Sequence, residues 1–140
     1  MKDCVKQSVD GYCKNAELNA RKAEDSMINR RKDMKVQVRP EMKGGQGEVT
    51  VLHMVDCDDQ PNVRFIGEMT IPESASIGTH GHDKETEYYV ILEGIGIVTE
   101  KDGDHKVGKG EIVITGGGAT HAIRNGGHTP LKVLAFIVTE

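Results

Sequence analysis

The chain has 140 residues, 36% of them hydrophobic and 29% charged, with a formal net charge of -4. That length and balance suit one ordinary globular domain rather than a disordered chain. Residues 1–34 carry eight Lys/Arg against six Asp/Glu and residues 35–140 carry ten against sixteen, so neither part offers the clustered positive face that nucleic acid requires.

No apolar stretch approaches the ~20 residues needed to span a bilayer, and the start lacks the apolar core of a secretory signal. Neither a membrane nor a nucleic-acid partner is expected, and the expected location is cytoplasmic. Cys4, Cys13 and Cys57 form no C-x-x-C pair and are odd in number, which predicts reduced thiols rather than a disulfide framework.

The first segment, residues 1–34, is polar and free of proline. It places Val5, Val9, Tyr12, Ala16, Ala20, Ala23 and Met27 at steps of three and four, the repeat of one helical face. A helical extension is expected there, running from about Lys14 to Arg31 or split at Gly11. From residue 35 to 140 the texture becomes β-type, with short alternating runs divided by turn residues, and the expected domain is an all-β barrel. Strands are predicted near 35–39, 48–56, 63–71, 77–82, 86–92, 95–100, 105–108, 111–115, 119–125 and 131–139. Glu93-Gly94 and Asp102-Gly103 mark the sharpest hairpins.

His80-Gly81-His82 lies in an extended stretch, where residues two apart point to one side. Glu87 opens the next run and can lie on a neighbouring antiparallel strand beside both imidazoles. His121 follows the turn Gly116-Gly117-Gly118 in a further β-type run and is the candidate fourth ligand. Three imidazoles and a carboxylate suit one divalent transition metal per chain (Mn, Fe, Co, Ni, Cu or Zn) and are too rich in nitrogen for Ca or Mg. Glu85 shares the side of Glu87 and is the alternative carboxylate.

At these residues the sequence resembles the cupins, small single-domain bacterial ones in particular. Their first motif reads H-x-H, three or four residues, E, six residues, G. Their second reads G, five residues, P-x-G, two residues, H, three residues, N. His80, His82, Glu87 and Gly94 match the first spacing, and Gly110, Gly118, His121 and Asn125 match the second. Two positions depart from it: the leading glycine of the first motif falls at Ser74, and the proline of the second at Gly116, which should loosen one turn without touching a ligand. The fifteen residues between Gly94 and Gly110 are like the short spacer of compact bacterial cupins. The resemblance covers about residues 45 to 139. It implies a double-stranded β-helix, the cupin jelly-roll barrel, with the metal inside it on His80, His82, Glu87 and His121. Gly94, Gly110, Gly118 and Asn125 then look like turn-forming positions.

Strand parity puts Tyr89 and Ile91 on the face of Glu87, and Ile123 on that of His121. These three are candidates to line the pocket, together with Phe65 and Met69 on the apolar side of 63–71. His53 alternates with Val49, Val51 and Val55, and could reach the pocket as a base or stay a rim histidine. Parity leaves Arg64, Glu68 and Thr70 on the opposite side of their strand and Arg124 opposite His121, so no cation is expected beside the pocket. His105 and His128 fall in turn-rich stretches and are expected in solvent.

Two function classes follow, both with a small-molecule partner. One is a metal-dependent enzyme whose reaction, among oxygenase, decarboxylase, isomerase and lyase chemistry, the sequence does not choose; the complete ligand set favours it. The other is a non-catalytic binding or sensing module. The last run is apolar on both faces, with Leu131, Val133, Ala135 and Ile137 on one and Leu134, Phe136 and Val138 on the other. Something therefore covers its outer face, and a homodimer is the expectation.

Overall fold

The computed structural model describes residues 26–56, 58 and 60–140. Ten strands fill most of that length: β1 Lys35–Pro40, β2 Glu48–His53, β3 Val63–Ile71, β4 Ser76–Gly81, β5 Glu85–Glu93, β6 Ile95–Glu100, β7 Gly103–Gly108, β8 Ile112–Gly116, β9 Thr120–Asn125 and β10 Leu131–Thr139. Each lies within a few residues of its expected span. They form a six-stranded sheet in the order β1-β2-β3-β10-β5-β8 and a four-stranded sheet in the order β4-β9-β6-β7, with every pairing antiparallel. The all-β barrel expected from the sequence is the fold found.

Alternation explains the core. On β10, Leu131, Val133, Ala135 and Ile137 are fully buried, and Val49, Val51, Met69, Ile71, Tyr89, Ile91, Val98 and Ile123 meet them from other strands, with Ile77 of β4. Successive residues of a strand face opposite sides, so one residue in two goes inward. Removing these apolar surfaces from water at roughly 25 cal/mol per Å² holds the sheets together.

The leader differs from expectation where it is described. Residues 26–30 are not helical, and Arg31–Asp33 form a single 3-10 turn. The segment is laid along the sheet instead of being coiled: Asn29 Nδ2 donates to the Met54 carbonyl at 2.8 Å, and Arg31 grips Glu68 of β3 with two hydrogen bonds of 3.1 and 2.9 Å. The rest of the expected helix, residues 14–25, lies outside the described residues, as do Cys4, Cys13 and Cys57.

Two features placed on the strands matter for the site. A 3-10 turn at Met42–Gly44 packs against β4. In the β10–β3 ladder the register passes from Ile137↔Phe65 to Val138↔Val63, so Arg64 is the extra residue of a β-bulge. Bulges bend a strand and re-aim side chains.

Candidate metal centre

Three strands and one turn bring the four expected side chains together. His80 on β4 stands directly opposite His121 on β9. Glu87 on β5 lies between Thr115 of β8 and Ile137 of β10. His82 follows β4, and its backbone is clamped by the glycine turn before β9: the Gly118 amide donates to the His82 carbonyl at 2.8 Å and the His82 amide to the Ala119 carbonyl at 3.1 Å. Gly117 and Gly118 reach this shape with φ of 63° and 85°, values that glycine adopts without steric cost.

The four side chains converge on one point. The Oε2 atom of Glu87 lies 3.2 Å from His80 Nε2, 2.6 Å from His82 Nε2 and 2.8 Å from His121 Nε2. His121 Nε2 lies 3.1 Å from His80 Nε2 and 3.3 Å from His82 Nε2. His82, Glu87 and His121 are buried, and His80 is half-buried.

The outer nitrogen of each ring is held as well. His80 Nδ1 donates to the Gly78 carbonyl and His82 Nδ1 to Glu85 Oε1, both at 2.8 Å, and His121 Nδ1 meets Thr115 Oγ1 at 2.8 Å. A carbonyl or carboxylate only accepts, so in the neutral rings of His80 and His82 the inner Nε2 carries a lone pair. Converging lone pairs and a carboxylate oxygen are stabilised by a cation between them. Ligand atoms about 2.1 Å from such an ion stand roughly 3.0 Å apart when they subtend a right angle, which is the size of the separations found. The chemistry of the donor set fits a transition metal, and the group is positioned to bind a metal ion.

Burial and neighbouring charges act differently on Glu87, His121 and His82. Burial pushes the Glu87 carboxyl up, but the three imidazoles gathered around it outweigh that and hold it far below its ordinary range. Burial pushes His121 below its ordinary value, and Glu87 offsets only part of that. His82 is raised: burial works against its charged form, but the Glu87 and Glu85 carboxylates together prevail.

The remaining candidates divide. Tyr89 stacks on the His121 ring at 4.7 Å, and Ile91, Ile123, Met69 and Phe65 are buried in the same interior. His53 is buried too, but it bonds Gln37 Oε1 at 3.0 Å and packs edge-on against Phe65. Its row runs through Gly67 and Ala135 to Tyr89, and three strand spacings of about 4.8 Å put it roughly 14 Å along the sheet from that ring. There it lines a separate cavity of about 350 Å³ with residues 28–30 and 33–35. Glu85 sits behind His82 rather than inside the cluster. His105, His128 and Arg124 are exposed on Asp102, Glu73 and Asp104 respectively.

The expected placement of Arg64 on the far side of its strand is corrected. At the bulge, Arg64 turns to Glu85, with Nε donating to Oε2 at 2.6 Å. Parity along an unbroken strand puts Arg64 on the far face, and the register shift removes that premise. Gly116, at the proline position of the second motif, is paired with Thr86, and a Cβ there would meet Thr86 Oγ1 at 2.5 Å.

Comparison with known proteins places this geometry. The sequence model of the cupin domain matches residues 67–137. The oxalate-binding protein of Thermotoga maritima is 36% identical over 98 residues, which span 69% of this chain and 81% of that one. A crystal structure from the same organism, of a protein described as a predicted oxalate decarboxylase, superposes with a TM-score of 0.77 at 31% identity, over 81% of this chain and all of the other. The polyketide cyclase RemF of Streptomyces resistomycificus shares the fold at a TM-score of 0.67 and 19% identity, over 82% of this chain and 80% of its own. The family match covers half of the sequence and the relative covers two thirds of it, and on that footing this chain belongs to the cupins.

Proposed function

We propose that the chain binds one divalent transition metal on His80, His82, Glu87 and His121, and that the metal captures a small, oxygen-rich carboxylate of the oxalate class. The observation that carries this reading is the convergence of three Nε2 atoms and one carboxylate oxygen above a filled interior. Tyr89, Ile77, Ile91, Met69, Val98 and Ile123 leave at most 1% of their surface exposed. A ligand therefore approaches from the side of His80, whose side chain is the most exposed of the four at 13%, and it has to be small. When bound, the metal supplies Lewis-acid attraction for carboxylate oxygens at positions the four side chains do not fill. The name of the Thermotoga maritima relative supports the same ligand class.

Binding, rather than turnover, is the reading the side chains favour. A reaction on a bound carboxylate is speeded by a free group beside it that gives or takes a proton. Among the described residues, the two carboxyls at hand are engaged: Glu87 in the cluster, and Glu85 between Arg64 and His82. Burial pushes Glu85 up, yet Arg64 and His82 hold it below its ordinary range, and both of its oxygens already accept hydrogen bonds from those two side chains. Turnover is the second reading, supported by the complete ligand set. A homodimer, formed through the outer face of the six-stranded sheet, belongs to the same proposal.

The test starts from protein purified without chelator. Elemental analysis is expected to find one transition metal per chain, and calorimetry to find oxalate binding that disappears on chelation, with acetate bound far more weakly. Loaded protein indifferent to oxalate sinks the ligand class. Release of CO2 or formate from oxalate, under air or under nitrogen, replaces the binding reading with the enzyme.

A further inference from the structure

We infer that Arg64 and Glu85 form a positioning pair that sets the orientation and basicity of His82 toward the metal. This rests on the metal reading above and adds two residues to it. Glu85 accepts the Nδ1 hydrogen of His82 at 2.8 Å, on the opposite side of the ring from the cluster. Arg64 in turn grips Glu85 through two guanidinium nitrogens, Nε to Oε2 at 2.6 Å and Nη2 to Oε1. The pair is largely withdrawn from water, with side-chain exposures of 21% and 12%.

The three rings differ in what holds them. His80 is held by a backbone carbonyl and His121 by a hydroxyl, whereas His82 has a carboxylate fixed by a forked cation. A carboxylate behind a ligating imidazole fixes the tautomer, orients the ring and raises its basicity. A planar fork on that carboxylate leaves it little rotational freedom. The bulge makes the arrangement reachable. Because β10 pairs Val138 with Val63 and skips Arg64, the guanidinium reaches past β10 to the start of β5 instead of pointing away from the barrel. A bulge used to aim one side chain at a site is a device of the fold rather than a defect in it.

The pair Arg31–Glu68 supplies an internal control. It is also a two-point Arg–carboxylate contact on β3, at 3.1 and 2.9 Å, but it touches no member of the cluster. The experiment is Co2+ titration of the full chain, followed by calorimetry and by the visible absorption of bound Co2+. The variants are Glu85→Gln, Arg64→Met, Arg64→Lys, the double Arg64→Met/Glu85→Gln, and Arg31→Met. Glu85→Gln and Arg64→Met are expected to weaken Co2+ binding by about 10- to 100-fold and to move the absorption bands, and Arg64→Lys to recover part of the loss. Since Arg64 acts only through Glu85, its removal adds nothing in the Glu85→Gln background. The double variant also leaves no charge stranded, so it tests the idea even where Arg64→Met folds poorly.

Equal affinity in wild type and Glu85→Gln overturns the inference. So does an equal loss in Arg31→Met, which makes the effect one of sheet stability. Wild type that takes up no Co2+ overturns the metal reading and this inference with it.

Discussion

The carbonyl of Gly78 accepts the Nδ1 hydrogen of His80 at 2.8 Å, while a Cβ on the same glycine would sit 2.1 Å from the carbonyl oxygen of Lys43. One backbone position thus orients a candidate ligand and lets the 3-10 turn at Met42–Gly44 close on β4. Gly45 answers it from the other side, where a Cβ would meet the Ser76 carbonyl at 2.2 Å.

Gly78→Ala is therefore expected to force the turn and β4 apart. Overpacking of this kind costs about 1–3 kcal/mol, and the displaced carbonyl no longer fixes the His80 ring. Urea unfolding should show the lower midpoint in chelated protein, and metal titration a weaker site. A variant matching wild type in both would show that neither contact matters.

The ligand set makes a second prediction. His82→Ala or His121→Ala should abolish stoichiometric metal binding, and His105→Ala and His128→Ala should preserve it, as elemental analysis of dialysed protein would reveal. Protons compete for the same nitrogens. Because neighbouring carboxylates raise His82 above its ordinary 6.5, that ring keeps its proton to a higher pH. Competition therefore begins above pH 6.5, and affinity falls as pH falls, by about tenfold per unit for each imidazole that must shed a proton. Affinity that is flat from pH 8 to pH 5 contradicts the assignment.

Ser74 carries a third. It stands where the leading glycine of the first motif is expected, and its backbone is left-handed, with φ 66°, in a turn closed by the Ala75 amide on the Pro72 carbonyl at 3.0 Å. A left-handed residue with a Cβ costs roughly 1–2 kcal/mol, and glycine gives back about 0.4–1 through its freer unfolded chain. Ser74→Gly should thus raise stability by a few tenths to about 1 kcal/mol. A lower urea midpoint refutes the strain.

The ten strands were readable because period-two alternation is a local signal, and His80, His82, Glu87 and His121 because two motif spacings and strand parity agree on them. Arg64 escaped because parity assumes an unbroken ladder, and a one-residue bulge depends on what β10 pairs with, not on the residues near Arg64. His53 shares the inward parity of the site strands, but parity gives the face of a sheet and not the distance along it. The close approach of Gly45 to β4 had no local signal beyond the two glycines themselves. The three-and-four spacing ends at Met27, and beyond it Asn29 bonds Met54 and Arg31 bonds Glu68, contacts that tie this stretch to the sheet instead of a helix end.

The last prediction concerns the outer face of the six-stranded sheet. Phe136 stacks on Tyr88 there at 4.7 Å, with Leu134 between Val90 and Glu68. Val36 and Val38 on the β1 edge and Ile112 and Ile114 on the β8 edge are each at least half exposed. Apolar side chains spread over both edges and the centre of one sheet make it a candidate association surface, and a two-fold contact would use such a patch twice. The full chain is expected to scatter light as a dimer. Ile114→Lys with Val38→Lys should yield monomers that keep their metal, since both side chains point away from the cluster. The rival is that the leader covers this face within one subunit. In that case the full chain is a monomer, and a chain beginning at Met34 loses stability or associates. A monomer in both forms, with unchanged stability, defeats dimer and leader alike.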